Sequence, residues 1–396
     1  MIHNIQIVPA LAPEYGGPAR SVPNLCLELA NLGTRVTLLY ADLGEKFHSP
    51  SLPVHPNLKY VSLRTKIVQG VKPVWIPGFK STLLNLCDGN DKVIIHDHGI
   101  WLPHNGHVAA ISDRLGIPLI VSPRGMLQPW ALRYRRWRKM AVWHLWQKSR
   151  LQKASYINAA SRSEAEGISK LGLNKPVVII PNGTVIPELK DRIVLPGDRK
   201  CSMLFMSRIH PSKGLLNLIE VLGSIDSRNW SLKIAGYDEN NHQQEVERAV
   251  VKAGLTNDIQ FIGPIDNDRK WEVYSKSDLF VHPSYSENFG IVIAEALASG
   301  LPVITTTGTP WTDLVEFDCG WWVDPSVPDL SAAIREALSL SDNQRQKMGA
   351  RGKKLIEKKY SWKPIAVEMQ KLYNHILYGK DFHDHGIVDL SPEINA

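Results

Sequence analysis

Cysteine is scarce: four in 396 residues, Cys26, Cys87, Cys201 and Cys319, none close to another. That spacing excludes a Cys-x₂-Cys zinc site and a disulfide framework, so buried thiols are expected. No stretch approaches the roughly 20 uninterrupted apolar residues that a membrane-spanning helix needs. The first residues, MIHNIQIVPALAPEYGG, lack the positive leader and small-residue cleavage site of an export signal, which gives a cytoplasmic expectation. No short-period repeat is visible. What is present is a 43% hydrophobic, 21% charged composition, the balance of a folded protein, at a length that suggests two domains. A net charge of +7 and a pI near 9.1 predict an anionic partner without choosing among nucleic acid, phospholipid and nucleotide.

Short apolar runs alternate with amphipathic ones. Residues 4–8, 35–41, 92–96, 118–122, 155–159 and 177–180 read as strands, with helical patterns at 20–32 and 105–115. The rhythm restarts at 203–206 and continues through 231–235, 259–261, 279–282 and 302–305. Apolar strands separated by helices imply parallel sheets covered on both faces, hence two α/β domains. A stretch rich in proline, glycine and charge, 181–200, has linker composition. The expected division is 1–183, then 184–361, then a helix at 362–378 and a loose tail at 379–396.

Ligands collect beyond the C-terminal ends of parallel strands, so residues just after strands carry the interest. LFMSRIHPSKG, at 204–214, leaves a strand and enters a helix, and Arg208 and Lys213 could hold the two phosphates of a nucleoside diphosphate. HPSYSENFGIVIAE, at 282–295, leaves strand 279–282 for a helical pattern at 291–299. Its Asn288, Phe289 and Gly290 peptides fall in a first helical turn, where free N–H groups favour an anion or sugar oxygens. Glu287 and Glu295, eight positions apart, read as two carboxylates on a similar side that could accept hydroxyl hydrogen bonds. The bland alternative makes Glu287 a helix cap and Glu295 an exposed helix residue.

In the first half, PEYGGPAR places Gly16 and Gly17 between a strand and a helix, where backbone could approach a phosphate or simply turn. IIHDHGIW puts His96 and His98 on one side of a strand end, either as polar packing or near a ligand. A metal pair there lacks a third ligand, and no metal site is expected. SPRGMLQPW supplies Arg124 to the same rim. From 124 to 153 there are nine Lys or Arg and no Asp or Glu, interleaved with Trp130, Trp137, Trp143 and Trp146. A solvated basic helix with packed tryptophans, a contact with an anionic membrane surface, and nucleic-acid binding all fit, each basic group near a membrane contributing on the order of 1 kcal/mol before screening. No nucleic-acid module accompanies the patch, which disfavours the last. The only Asp-x-Asp, Asp266 to Asp268, most simply caps the next helix.

HPSYSENFGIVIAEALASGLPVIT resembles the donor signature of retaining glycosyltransferase family 4, SRIHPSKG its phosphate-binding turn, and PNGT at 181–184 the entry to its interdomain linker. The resemblance implies a GT-B fold, two Rossmann-like domains with parallel sheets facing across a cleft. It further implies Arg208 and Lys213 at the diphosphate, Glu287 at the sugar hydroxyls, Glu295 at the ribose, and the 288–290 backbone lining sugar and phosphate. The Gly16–Gly17 loop would close over the donor, His98 would lie near the reacting sugar, Arg124 would sit on the acceptor side, and the last helix would return to the first domain. The implied reaction moves a sugar from a UDP- or GDP-sugar to a glycan or lipid-linked acceptor with no metal or other cofactor. Bacterial cell-surface polysaccharide and O-antigen synthesis, at the inner face of the cytoplasmic membrane, is the corresponding setting. A sugar-nucleotide epimerase on the same scaffold and a two-domain sugar-binding protein are the rival readings.

Overall fold

The computed structural model describes residues 2–12, 17–44, 52–65, 76–89, 91–133, 136–188, 200–225, 229–382 and 387–388. The chain divides into two compact units, Met1–Gly183 with Trp362–Ala396, and Thr184–Ser361.

The first unit holds strands β1 (Ile2–Ala10), β2 (Arg35–Asp42), β3 (Leu58–Arg64), β4 (Lys92–His98), β5 (Leu119–Ser122), β6 (Tyr156–Ala159), β7 (Val177–Ile179) and the short terminal Ile387–Val388. The sheet runs in the order terminal strand, β7, β6, β5, β4, β1, β2, β3, parallel except for the terminal strand, which lies antiparallel on β7. The tail expected to be loose thus contributes a strand. β3 was not anticipated, because as an edge strand with the alternating sequence LKYVSLR it lacks the continuous apolar run of its neighbours. Successive residues point to opposite faces, so Ile5, Ile7, Ile95 and Val121 join one core while Ile94, Ile120 and Val178 join the other. Helices Gly17–Asn31 and Trp362–Tyr378 cover the second face with Leu25, Leu29, Met369 and Leu372. Fully burying each such aliphatic side chain stabilises by about 1.5–3 kcal/mol.

The second unit holds β8 (Cys201–Met206), β9 (Trp230–Ala235), β10 (Ile259–Gly263), β11 (Leu279–His282), β12 (Val303–Thr306) and β13 (Gly320–Val323), in the order β10, β9, β8, β11, β12, β13. Every pairing is parallel. β13 escaped the sequence reading because its four residues begin with the turn-former Gly320.

Two local expectations change. The basic tryptophan-rich segment is not one helix but Pro129–Arg133, Arg136–Val142, a π-helical turn Trp143–Gln147 and Lys148–Leu151. Asp266 stands at the N-cap of helix Asn267–Ser275 but its side chain makes no cap hydrogen bond, and the Asp268 side chain lies outside the described residues. Among the described residues no helix is long and apolar enough to cross a membrane.

Candidate functional site

In the second unit the ends of β8 and β11 are stitched together. The Tyr285 N–H and the Ser284 hydroxyl both donate to the Ser212 carbonyl, at 2.9 and 3.1 Å. Gly214, in left-handed backbone at φ 71°, lets this happen, since a Cβ there would stand 2.0 Å from the Pro283 carbonyl oxygen. The contact delivers Lys213, whose side chain is only 7% exposed, to Glu287: Nζ donates to Oε1 at 2.5 Å. His282, the last residue of β11 and fully buried, reaches the same oxygen through Nε2 at 2.8 Å. A carboxylate only accepts, so His282 carries its proton on Nε2. Burial alone would raise the Glu287 pKa, but Lys213 and His282 overcome it and hold the group at about 2. Burial lowers the His282 pKa, which the Glu287 hydrogen bond only partly offsets, so the ring is neutral. Glu287 is therefore ionised at neutral pH.

Glu287 is not the cap of the following helix. Gly290, at φ 77°, is the N-cap of Ile291–Ala298, and the Ile291 and Val292 N–H groups in the first turn have no intrahelical acceptor. The Phe289 carbonyl accepts from Trp311 Nε1 at 2.6 Å, and its ring packs at 5.3 Å from Trp311 and 5.8 Å from Tyr360. These contacts fix the 288–290 turn. The spacing of Glu287 and Glu295 does not put both on one helix: the helix starts at Ile291, so only Glu295 lies on it. Glu295 accepts from Lys270 Nζ at 2.6 Å and from the Tyr274 hydroxyl at 3.2 Å. The two glutamates thus have separate cations. Arg208 does not join Lys213 on one partner: half-exposed, it donates to Glu239 at 2.5 Å. His282, Lys270 and Tyr274 were not foreseen, though a histidine ending a wholly buried strand was a usable signal.

The first unit carries a different polar centre. Arg124 follows β5 with left-handed backbone at φ 57°, uncommon for a side chain of this size. Its guanidinium donates to Asn182 Oδ1 and, at 2.9 Å, to His98 Nδ1. Arginine cannot accept, so His98 must be protonated on Nε2, which donates to Gln6 Oε1 at 2.5 Å. The Gln6 amide then donates to Asn4 Oδ1 (2.6 Å) and to the Tyr373 hydroxyl (2.9 Å). The Tyr373 hydroxyl and His96 Nδ1 share a hydrogen bond at 2.9 Å, and His96 Nε2 and Ser122 Oγ share another at 2.8 Å. The hydrogen-bonded chain thus runs from Arg124 to the terminal helix and back to β5, its direction set from Arg124 as far as Tyr373. Burial lowers both histidines well below 6.5, with Arg124 acting in the same sense, so both are neutral. Burial also lowers Arg124 to about 10, which leaves it charged.

His98 and His96 share one side as expected, their rings 4.1 Å apart. His98 is fully buried with both nitrogens engaged, so in this structure it holds Arg124 rather than presenting a free nitrogen. Asn182, Gln6 and Tyr373 were missed, although Asn4 and Gln6 interrupting an apolar strand on the His96 side was a readable sign. Gly17 opens the first helix, exposed, where a Cβ would meet nothing, and Gly16 lies outside the described residues. Among the described residues no group of His, Cys, Asp and Glu could hold a metal ion.

Two family models match adjoining stretches, "Glycosyltransferase Family 4" over 15–186 and "Glycosyl transferases group 1" over 186–355. An uncharacterized glycosyltransferase of Methanocaldococcus jannaschii is 32% identical over 179 residues, 44% of this chain and 45% of that protein. A D-inositol 3-phosphate glycosyltransferase of Corynebacterium efficiens is 30% identical over 180 residues, 43% and 42% of the two chains. The chain thus spans under half the length of these curated relatives. Among solved structures, a sucrose-phosphate synthase from Thermosynechococcus elongatus superposes with a TM-score of 0.75 at 20% identity, covering 96% of this chain and all of that one. An Anabaena protein solved with UDP and glucose superposes at 0.66 and 16% identity, covering 94% of this chain and 100% of that one. With adjoining models over 15–355 and structural superposition over nearly its whole length, the chain belongs to glycosyltransferase family 4 and has the GT-B fold.

Proposed function

We propose that the protein transfers a glycosyl group, with retention, from a UDP- or GDP-sugar to a hydroxyl of a glycan or lipid-linked oligosaccharide in cell-surface polysaccharide synthesis, O-antigen included. The observation that carries the reading is the ionised Glu287, held by Lys213 and His282 next to the N-terminus of helix Ile291–Ala298. Glu287 accepts hydrogen bonds from donor-sugar hydroxyls. As the bond from sugar to diphosphate breaks, negative charge grows on the leaving phosphate, and the Lys213 N–H groups not given to Glu287, Arg208 and the first-turn N–H groups stabilise it. Glu295 receives the ribose, and the 288–290 backbone lines the sugar and phosphate. In the first unit Arg124, oriented by His98, faces the acceptor. UDP in the Anabaena structure supports a nucleoside diphosphate as the donor's leaving group.

Thermal stabilisation by a panel of nucleoside diphosphates, nucleotide sugars and free sugars tests this, since a ligand at 100 times its Kd stabilises by about 2.7 kcal/mol. A UDP- or GDP-sugar should raise the midpoint and the free sugar should not. Stabilisation by free sugar alone would favour a sugar-binding protein. Release of an isomerised nucleotide sugar without acceptor would favour an epimerase.

A further inference from the structure

The structure separates the four tryptophans of the basic segment. Trp143 turns inward, 7% exposed, with its ring 6.2 Å from that of Trp101. Its neighbours turn outward: Trp137 and Leu145 are each 72% exposed, and Trp130, Met140 and Trp146 lie between 40% and 48%. Helix Arg136–Val142 has no buried side chain at all. Trp137, Met140 and Leu145 fall at i, i+3 and i+8, the spacing of one helical stripe, so these three outward groups form a face and not a scatter. Leaving such side chains in water forgoes their burial energy, and a contiguous exposed apolar patch of this kind marks an interaction site.

Charge says what covers it. The nine basic residues from 124 to 153, with no acidic one among them, exceed the net charge of the whole chain, so the remainder is slightly acidic. Arg133, Arg136, Arg138 and Lys148 form no ion pair with any described residue. Two arginines lie over the outward indoles, Arg138 at 4.9 Å from the Trp137 ring and Arg150 at 5.7 Å from that of Trp146. A tryptophan with an apolar body and an N–H, flanked by arginines long enough to reach outward, suits the headgroup layer of a bilayer, where apolar and charged neighbours are both satisfied. A protein partner would need acidic residues interleaved with pockets for each indole, whereas an anionic bilayer meets both demands along the stripe.

We infer that the outward face of residues 130–146 is a membrane-docking surface that inserts Trp137, Met140 and Leu145 among the headgroups of an anionic bilayer, with Arg133, Arg136, Arg138 and Lys148 on the phosphates. It goes beyond the transfer reaction and stands independently of it, and it places the protein at the surface where a lipid-linked acceptor resides.

Flotation of the full chain tests it, with vesicles of phosphatidylcholine alone and vesicles containing phosphatidylglycerol. The protein should float only with the anionic vesicles at low salt, with a blue shift in tryptophan emission, and lose binding as salt rises. Trp137→Ser with Leu145→Ser should weaken partitioning by about tenfold or more, as should Arg136→Glu with Arg138→Glu, while circular dichroism and the thermal midpoint stay as in the parent because these side chains are exposed. Failure to float with anionic vesicles, equal capture by neutral ones, or undiminished binding by the serine variant would overturn the inference. So would tighter binding to a single-stranded oligonucleotide than to the anionic vesicles, which would make the face a nucleic-acid surface. Nucleotide-sugar stabilisation of the same variants reads the transferase assignment separately.

Discussion

Along its strands the first unit gathers neutral groups, Gln6, His96, His98, Ser122 and Tyr373, around the charged Arg124, on which the buried Glu164 carboxylate also acts; the second gathers full ion pairs, Lys213 with Glu287 and Lys270 with Glu295. The first arrangement fixes orientation, because the Arg124 donation sets the His98 tautomer and with it the bond to Gln6. The second fixes charge, because Glu287 is kept ionised against its burial. A positioned cation with a neutral frame suits orientation of an acceptor. A carboxylate and an ammonium ready-made at a helix N-terminus suit a donor that must shed a negatively charged leaving group.

The contrast predicts unequal penalties. Lys213→Met should be the most costly, destabilising by about 3–5 kcal/mol, because it strands the Glu287 carboxylate with His282 as its remaining side-chain partner among the described residues. Chemical denaturation measures this, and Lys213→Met combined with Glu287→Leu should recover much of the loss. The half-exposed Arg208–Glu239 pair offers a control, contributing no more than about 1 kcal/mol to stability. Tyr373→Phe comes next, at about 1–3 kcal/mol, since it leaves a buried Gln6 donor and His96 Nδ1 unmet. A purely structural tyrosine would lower stability alone. A tyrosine that also orients Arg124 should raise the acceptor KM while leaving the affinity for the nucleotide sugar unchanged.

Over a single pH unit the effect of each titrating residue is smaller. His3 and His104 are lowered by burial to about 4, and His96 and His98 well below 6.5, so the unfolded chain binds protons that the folded first unit refuses; Asp97, raised by burial to about 7, acts in the opposite sense but is one group against four. Stability must then fall as pH falls below about 6.5, by no more than about 1.4 kcal/mol per histidine per pH unit. In the second unit His282 and His210 shift in the same direction, and Glu287 adds a loss only between its ordinary 4.5 and about 2. Hydrogen exchange on acidification should therefore show the first unit losing protection before the second. The reverse order would break the comparison.

What the sequence revealed follows the same divide. The donor segment is nearly contiguous, so strand, turn, Gly290 and helix could be recognised along one stretch, and Lys213 lies beside its own turn. A partner on another element could not: Lys270 meets Glu295 from a separate helix, whereas His282, inside the donor stretch, was readable as a histidine closing an apolar strand. In the first unit the network joins Gln6 to Tyr373 across 367 positions, a proximity that periodicity does not encode. The parallel sheets were legible from their apolar runs, whereas the half-exposed edge strand β3 was not. The basic segment announced its charge but not its geometry, because the π-helical turn that sends Trp143 inward leaves no mark on composition.

The most direct test of the central claim is Glu287→Gln, which keeps the shape of the side chain and removes its charge. With the nucleotide sugar that stabilises the protein most, nucleoside diphosphate affinity should stay within about twofold while turnover falls by about 100-fold or more, the scale for losing one preorganised electrostatic group. Turnover close to that of the parent protein would contradict the assignment of Glu287 to the donor sugar.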